Sequence, residues 1–215
     1  MSASAGPPHI VFIVDDDLPI REALSELLAS YEMHAITFGS ASEYMAFPKP
    51  DVPACLILDV ELPDINGLDL QSQTAQGNHV PIVFVTGHGD ISSSVRAMKA
   101  GAVDFLTKPI IEADLMRAID AALAQDRDTK SKKAELAELV QRLKSLTPRE
   151  REVLPLVVSG LLNKQAAAEL GISGITLQIH RGKIMQKMEA ESLAELVRMA
   201  AALEVPVTRS RRSQK

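Results

Sequence analysis

Polar residues with catalytic or metal-binding chemistry follow four of the five apolar runs in the first half of the chain. Asp15 and Asp16 follow the first run, Asp59 the third, Thr86 the fourth and Lys108 the fifth. If these runs are parallel strands, their carboxyl ends lie together at one edge of a sheet, where ligands bind at the point of strand-order reversal. Three carboxylates brought together repel one another, and a hard divalent cation removes that repulsion. Mg²⁺, which binds few carboxylates and keeps several waters, is the predicted occupant.

The elements that position these residues are indicated by apolar runs that alternate with helical patterns. Because the runs are apolar on both faces, they indicate a parallel sheet covered by helices on each side. The predicted fold is a doubly wound α/β domain with a five-stranded parallel sheet. The strands are predicted at residues 9–14, 33–38, 54–58, 80–85 and 102–106, and the helices at residues 19–30, 41–46, 68–76, 91–100 and 112–125.

The second half of the chain has no strand pattern and is predicted to be all α-helical. Apolar residues return at three- and four-residue spacing over residues 136–146, which indicates a long amphipathic linker helix. That helix either packs on its own chain or pairs with a second copy. Two short helices on either side of residues 171–173 have the proportions of a helix-turn-helix motif. Counting these two, four helices are predicted to begin at capping residues, namely Thr147, Asn163, Ser173 and Ser192.

Charge and composition separate the two halves and exclude some classes of protein. Residues 1–125 carry 17 Asp/Glu and 6 Lys/Arg, whereas residues 126–215 carry 11 and 17. The basic half is therefore a candidate for nucleic-acid binding. No run approaches the ~20 apolar residues of a membrane span, and the N-terminus lacks a signal-peptide pattern. The single cysteine, Cys55, fits a buried strand position and a reducing compartment. We therefore expect a cytoplasmic protein without membrane contact.

Four separated segments of the first half resemble the receiver domain of bacterial two-component response regulators. They are Ile-Val-Asp-Asp-Asp at 13–17, Leu-Asp-Val-Glu-Leu-Pro-Asp-Ile-Asn-Gly at 58–67, Val-Thr-Gly at 85–87 and Asp-Phe-Leu-Thr-Lys-Pro at 104–109. The resemblance covers residues 8–125 and implies the flavodoxin-like receiver fold. It also implies a cis peptide bond before Pro109.

The resemblance implies that Asp59 is the phosphoacceptor, the nucleophile that takes a phosphoryl group from the phosphohistidine of a sensor histidine kinase. It further implies that Asp16 and Asp59 bind Mg²⁺ directly, that Asp15 does so through water, and that Glu61 contributes its backbone carbonyl. Phosphoryl transfer depends mainly on alignment and on charge neutralisation, which such a site provides.

Lys108, Thr86 and Phe105 are the remaining receiver residues to which the resemblance assigns roles. Lys108 would pair with Asp59 and, after phosphorylation, with a phosphoryl oxygen. Thr86 would donate a hydrogen bond to a second phosphoryl oxygen. Thr86 and Phe105 would form the switch, in which Phe105 turns inward as Thr86 moves. The added dianionic group would thereby shift the domain between two surface states.

Residues 145–203 resemble the LuxR-type helix-turn-helix domain of the NarL/FixJ response regulators. Within the first half, residues 86–90 and 98–102 favour the FixJ-like branch. By this resemblance, the apolar stripe of the last helix would pair two DNA-binding domains. The matching segments, whose spacing also agrees, are residues 146–154, Gly160, 163–164, 170–173, Thr176, 180–181 and 187–188.

The predicted recognition helix, residues 174–188, separates buried residues from residues that face DNA. Gln178 is positioned to read a base edge, with adenine as its usual partner, and Ile179 to touch a thymine methyl. Three apolar residues lie on one stripe and are predicted to face the core, namely Leu177, Ile184 and Met188. The candidate phosphate contacts, which set affinity rather than sequence preference, are Lys164, Thr176, Arg181 and Lys183.

Three residues depart from the pattern of this DNA-binding family. Pro155 lies inside the first helix, where it removes a hydrogen bond and is expected to kink the chain. Ala166 replaces a larger residue, which predicts a thinner core. Gly182 weakens the recognition helix by about 1 kcal/mol relative to Ala. These departures bear on the strength of DNA binding more than on the fold.

The predicted domains are a receiver at 1–125, a helical linker at 126–145, a DNA-binding domain at 146–208 and a disordered basic tail at 209–215. The leading interpretation is a transcription factor whose phosphorylated receivers form a homodimer. Two basic domains would then bind double-stranded promoter DNA and contact RNA polymerase. The chain would not be a turnover enzyme, although it could dephosphorylate itself.

Two other interpretations remain open. One is a constitutive DNA-binding regulator whose receiver serves only as a dimerisation scaffold. The other is a Mg²⁺-dependent phosphatase of the haloacid-dehalogenase kind, which also uses an Asp after a strand. That class needs a second Asp two residues later, where this chain has Glu61.

Overall fold

The computed structural model describes residues 9–74, 80–87 and 91–206. The chain divides into two compact units, Met1–Lys130 and Ser131–Lys215. The predicted basic tail at 209–215 lies outside the described residues, as does the segment 88–90 of the FixJ-like loop. Within the part of the chain that the structure describes, no helix is both long and apolar enough to cross a membrane.

The first unit is built around a parallel sheet. Its strands are β1 (Ile10–Val14), β2 (His34–Phe38), β3 (Ala54–Asp59), β4 (Ile82–Thr86) and β5 (Asp104–Thr107). Their order is β2-β1-β3-β4-β5, which confirms the predicted doubly wound, five-stranded parallel sheet. The strand order reverses between β1 and β3, so a crevice opens beyond the carboxyl ends of these two strands. The helices are α1 (Leu18–Ser30), α2 (Ala41–Ala46), α3 (Gly67–Thr74), α4 (Ile91–Lys99) and α5 (Glu112–Ser145).

Both faces of the sheet are buried. In β1, Phe12 and Val14 join a core that includes side chains of α2, α3 and α4. The alternate residues Val11 and Ile13 join a second core with α1 and α5. Cys55 of β3 lies in this second core and is fully buried, as predicted. Burial on both faces explains why the strands read as continuous apolar runs rather than as alternating patterns.

The second unit is α-helical throughout its described residues, and α5 links it to the first unit as the predicted long helix. The apolar faces of its helices share one core, in which Val153, Leu177, Ile184 and Leu196 have no exposed surface. The four further helices are α6 (Pro148–Val158), α7 (Asn163–Glu169), α8 (Gly174–Met188) and α9 (Leu193–Ala202).

Three of the four predicted helix caps are confirmed. The Thr147 hydroxyl accepts the backbone N–H of Glu150 at 3.3 Å, and the Glu150 carboxylate accepts that of Thr147 at 2.8 Å. Ser173 and Ser192 each accept the backbone N–H three residues later. These reciprocal and single caps satisfy N–H groups that the first helical turn leaves unpaired.

The predicted cap at Asn163 is wrong. Leu162 is the residue before α7, and its N–H is accepted by Gln165 Oε1 at 3.1 Å. The Asn163 side chain instead accepts a hydrogen bond from Arg181 Nη1 of α8 at 3.3 Å. The Asn163 side chain, which the local sequence predicts to be a cap, therefore makes a tertiary contact between α7 and α8 instead.

All three departures from the family pattern fall inside helices of the second unit, with Gly182 in α8. Pro155 lies within α6, and the helix continues past it to Val158. The Pro155 carbonyl accepts the N–H and the hydroxyl of Ser159 at 3.1 and 2.5 Å. Ala166 is 1% exposed and packs in the core of the second unit.

Candidate functional site

Three carboxylates lie together at the carboxyl ends of β1 and β3. Val14 of β1 pairs with Leu58 of β3, so the next residues, Asp15 and Asp59, emerge side by side. Asp16 follows in the loop, and one carboxylate oxygen from each of the three residues lies within 4.8 Å of the others. Asp15 and Asp59 are buried, whereas Asp16 is exposed. Because all the donors are oxygens, this acidic pocket fits a hard divalent cation.

Lys108 bridges the two buried carboxylates. Its Nζ lies 2.7 Å from Asp15 Oδ2 and 2.6 Å from Asp59 Oδ2. The Lys108 backbone N–H donates to the Thr86 carbonyl at 2.8 Å, and the peptide bond to Pro109 is cis, as expected. The loop after β5 is thereby held against the end of β4, which brings the ammonium group to the acidic pocket.

Burial and ion pairing act in opposite directions on these groups. Burial raises the pKa of the Asp59 carboxyl above its ordinary value, and the hydrogen bonds from Lys108 and from the Glu61 N–H offset this effect only in part. Burial lowers the pKa of Lys108, but its hydrogen bonds to Asp15 and Asp59 raise that pKa above its ordinary value. Lys108 is therefore charged at neutral pH and neutralises part of the carboxylate charge.

Asp15 is held in place through its backbone as well as its side chain. Its N–H donates to the Phe38 carbonyl at 3.3 Å, and its Oδ1 accepts the Asp17 N–H at 2.9 Å. Arg21 Nη1 of α1 donates to the Asp15 carbonyl at 2.5 Å. Sequence reasoning assigned no role to Arg21, because only the folded turn shows that its guanidinium reaches back to the strand end.

The loop between β3 and α3 folds back onto Asp59. Asp59 Oδ1 accepts the N–H of Glu61 at 2.9 Å. At Gly67, a Cβ atom would lie 2.5 Å from the Asp59 carbonyl oxygen and 3.1 Å from the Val60 Cα. Only glycine allows this approach of two backbone segments. The sequence motif contains Gly67, but the steric reason for it is visible only in the structure.

Asp64 fastens the same loop to the start of α2. Its Oδ2 accepts the N–H of Ser42 at 2.9 Å and the Ser42 hydroxyl at 2.7 Å. The hydrogen bond from the Ser42 hydroxyl is the main reason why the pKa of Asp64 lies below its ordinary value. Sequence reasoning missed this residue because its partner lies 22 positions earlier in the chain.

The two residues predicted to form the switch lie on neighbouring strands. Thr86 ends β4 and is fully buried. Phe105 in β5 is half-buried, and its ring centroid lies 6.0 Å from that of Phe84. The register pairs Phe84 with Phe105 and Thr86 with Thr107. The structure thus places Thr86 beside the pocket, where its carbonyl accepts the Lys108 N–H, and Phe105 on the neighbouring strand. The switching motion itself stays a prediction.

The second unit presents the predicted DNA-contacting residues on α7 and α8. Arg181 is half-buried, and it is the residue that binds the Asn163 side chain. The other five are exposed, namely Lys164, Thr176, Gln178, Ile179 and Lys183. The predicted buried stripe is confirmed, because none of its side chains has exposed surface, and it comprises Leu177, Ile184 and Met188.

Comparisons with known proteins match both units. Residues 11–120 match the family described as Response regulator receiver domain, and residues 144–200 match the one described as Bacterial regulatory proteins, luxR family. A receiver joined to a LuxR-type domain implies a histidine kinase and DNA as partners. The receiver match also argues against the phosphatase interpretation.

Full-length relatives agree with this division. Nodulation protein W of Bradyrhizobium diazoefficiens is 47% identical over 211 residues, which cover 98% of this chain and 93% of that protein. Transcriptional regulatory protein FixJ of Azorhizobium caulinodans is 40% identical over 191 residues, which cover 88% and 90%. The solved structure of the response regulator StyR matches with a TM-score of 0.81 at 44% identity, covering 90% of this chain and 98% of that one. The chain therefore belongs to the NarL/FixJ family of response regulators, in its FixJ-like branch, with a receiver domain followed by a LuxR-type DNA-binding domain.

Proposed function

We propose that the chain is a phosphorylation-controlled transcription factor in which a sensor histidine kinase transfers a phosphoryl group to Asp59. The observation that carries this proposal is the contact of Lys108 with both buried carboxylates, Asp15 and Asp59. A nucleophilic carboxylate must be ionised, and the nearby ammonium favours that form against the effect of burial. During transfer, the O–P bond to Asp59 forms as the N–P bond of the phosphohistidine breaks.

The residues of the acidic pocket would also hold Mg²⁺. Asp16 and Asp59 would bind the ion directly, Asp15 through water, and Glu61 through its backbone carbonyl. The carboxylate oxygens lie within 4.8 Å of one another, which supports this assignment. When bound, Mg²⁺ neutralises and aligns the phosphoryl oxygens. The Glu61 N–H holds Asp59 Oδ1 in the same pocket.

After transfer, protein groups around Asp59 must rearrange. Lys108 would exchange its contact with the Asp59 carboxylate for one with a phosphoryl oxygen, and Thr86 would donate its hydroxyl to another. Because Thr86 is buried, its movement would change packing along β4 and β5, and Phe105 would turn inward. Phosphorylated receivers would then form a homodimer. The receiver could hydrolyse its own acyl phosphate, which does not make the chain a turnover enzyme.

The proposed domains are the receiver at 1–125, the linker at 126–145, the DNA-binding domain at 146–208 and the basic tail at 209–215. Exposed Gln178 and Ile179 would face base edges in the major groove. The protein would act in the cytoplasm. Its paired DNA-binding domains, bound to promoter DNA, would contact RNA polymerase. The residues proposed to contact phosphates are Lys164, Thr176, Arg181 and Lys183.

Intact-mass measurement after incubation with Mg²⁺ and a small phosphodonor tests the proposal. Wild type should gain a single phosphate, whereas Asp59→Asn, or wild type without Mg²⁺, should gain none. Asp69→Asn, which changes an exposed acid of α3, is the matched control and should be phosphorylated normally. No adduct on wild type with either a small donor or a phosphorylated kinase would refute phosphorylation. DNA binding that is identical in Asp59→Asn and phosphorylated wild type would instead favour the constitutive regulator.

A further inference from the structure

An uncharged stripe runs along α8 on the side opposite its buried face. With 3.6 residues per turn, Ile175, Ile179 and Gly182 lie across the helix from Leu177 and Ile184, which are fully buried. Ile175 is 75% exposed and Ile179 is 54% exposed. Residues four apart are neighbours on a helix surface, so the two isoleucines form one continuous apolar surface.

Gly182 extends this stripe without a local need for glycine. Its φ lies outside the left-handed region, and a Cβ atom there would meet no described atom within 4 Å. Glycine weakens a helix relative to alanine, so the position carries a cost in helix stability that packing among the described residues does not explain. The missing side chain leaves open space on the outer surface of α8.

Positive charge lies beside the stripe. Residues 163–188 carry four Lys/Arg and one Glu. Lys183 and Thr176 lie on one flank of the stripe, and Lys164 is exposed on α7. An uncharged stripe with cationic residues beside it is complementary to the major groove, where phosphates form the rims and base edges form the floor. The apolar group on that floor is the C5-methyl of thymine.

We propose that Ile175 joins Ile179 in reading thymine methyls, and that Gly182 lets α8 lie deep enough in the groove for both contacts. The inference rests on the proposed DNA-binding function and names the kind of site it recognises. Residues four apart are separated by ~6 Å along a helix, and base pairs are ~3.4 Å apart along DNA. The half-site should therefore contain thymines about two base-pair steps apart, contacted by the N-terminal half of the recognition helix.

The first experiment finds a site and then removes its methyl groups. Phosphorylated full-length protein selects duplexes from a random pool, and each thymine in the selected half-site is replaced in turn by deoxyuridine. Because a buried methyl-sized group contributes about 0.8 kcal/mol, each of two substitutions should weaken binding about fourfold. Deoxyuridine at the other positions should leave affinity unchanged.

The second experiment assigns each methyl to a side chain. Ile175→Ala and Ile179→Ala should each weaken binding to thymine DNA, and each should abolish the effect of deoxyuridine at one position, as a double-mutant cycle requires. Leu18→Ala, which truncates an exposed residue of α1, is the control and should behave as wild type. Gly182→Leu should weaken DNA binding at least tenfold without lowering the midpoint of thermal unfolding.

The outcomes distinguish this inference from the function on which it rests. The inference would be overturned if deoxyuridine left the affinity for the selected motif unchanged. It would also be overturned if the isoleucine variants lost the same affinity for thymine DNA and for uracil DNA. Either result would leave sequence-specific DNA binding intact. If the isoleucine variants changed only the sedimentation of the protein and not its DNA binding, the stripe would be a contact between two chains, and the inference would be overturned. Failure to enrich any motif with phosphorylated protein would refute sequence-specific binding itself, and the inference with it.

Discussion

Asp126 of α5 accepts a hydrogen bond from the backbone N–H of Ala54, the first residue of β3, with Oδ2 and N 2.7 Å apart. Lys130 donates to the same carboxylate oxygen and also to the Val52 carbonyl. The Asp126 side chain is almost fully buried. This contact fixes α5 to the start of the strand whose other end carries Asp59.

Replacing Asp126 should destabilise the first unit. Asp126→Ala leaves the buried Ala54 N–H without its acceptor, and the expected loss in free energy of unfolding is about 1–3 kcal/mol. Asp126→Asn keeps an oxygen acceptor but loses the charge that faces Lys130, so its loss should be smaller. Urea unfolding measures both. Asp120→Ala, an exposed change on the same helix, is the control, and equal stability of the two Ala variants would contradict the prediction.

Replacing Lys108 should make the stability of the receiver depend more strongly on Mg²⁺. In Lys108→Met, Asp15 and Asp59 lose their shared ammonium, so unfolding in EDTA should become easier by about 1–3 kcal/mol. Added Mg²⁺ should restore more stability to this variant than to wild type, because the cation neutralises a more negative pocket. Thermal unfolding with and without Mg²⁺ measures the difference. The exposed Lys99→Met variant should match wild type, and an unchanged Mg²⁺ response in Lys108→Met would count against the pocket as the cation site.

Much of the first unit, including the position of its acidic pocket, follows from the sequence. Strands buried on both faces give continuous apolar runs, and residues that follow parallel strands must meet at one sheet edge. The contacts that hold the pocket do not follow in this way. The Arg21 guanidinium donates to the Asp15 carbonyl, and Asp64 bonds to Ser42 of α2. At the opposite end of β3, Asp126 contacts Ala54 from a charged segment predicted to be the linker. Periodicity reports which face is buried, but it does not report which polar side chain pairs across the fold.

Adding one methyl group at Gly67 should disturb the pocket. The Cβ of Gly67→Ala would lie 2.5 Å from the Asp59 carbonyl oxygen, so the β3–α3 loop must move. Overpacking of this kind costs about 1–3 kcal/mol of unfolding free energy. The variant should also bind Mg²⁺ more weakly in calorimetric titration. Gly39→Ala is the matched control, since its Cβ would make only an ordinary contact, 3.7 Å from Arg21. Equal Mg²⁺ affinities would show that the loop tolerates the change.

Glu150 should contribute acid-sensitive stability to the DNA-binding domain. Its hydrogen bond from Lys187, 2.7 Å long, is the main cause of a pKa lowered to about 2. Because the folded pKa lies below the unfolded value of about 4.3, this stability is fully present above the unfolded pKa and is lost as the pH falls toward the folded one.

Glu150→Gln should therefore be less stable than wild type near neutral pH, by about 1–3 kcal/mol. The difference in free energy of unfolding between the two proteins should vanish as the pH falls from about 5 to about 2. Urea unfolding across that range, followed in parallel on both proteins, measures the gap. Glu169→Gln, an exposed change on α7, should show no such convergence. A constant gap would mean that Glu150 acts through its shape and not through its charge.

The burial of Cys55 gives the chain a native reporter of its own opening. The thiol has no exposed surface, burial raises its pKa, and the sequence contains no other cysteine. A thiol-specific reagent can therefore modify the protein only through molecules in which the core between the sheet and helices α1 and α5 has transiently opened. The labelling rate measures how often that opening occurs. A change in this rate on adding Mg²⁺ or phosphodonor would measure how far occupancy of the acidic pocket stabilises the domain, and the reporting thiol lies near the opposite end of β3.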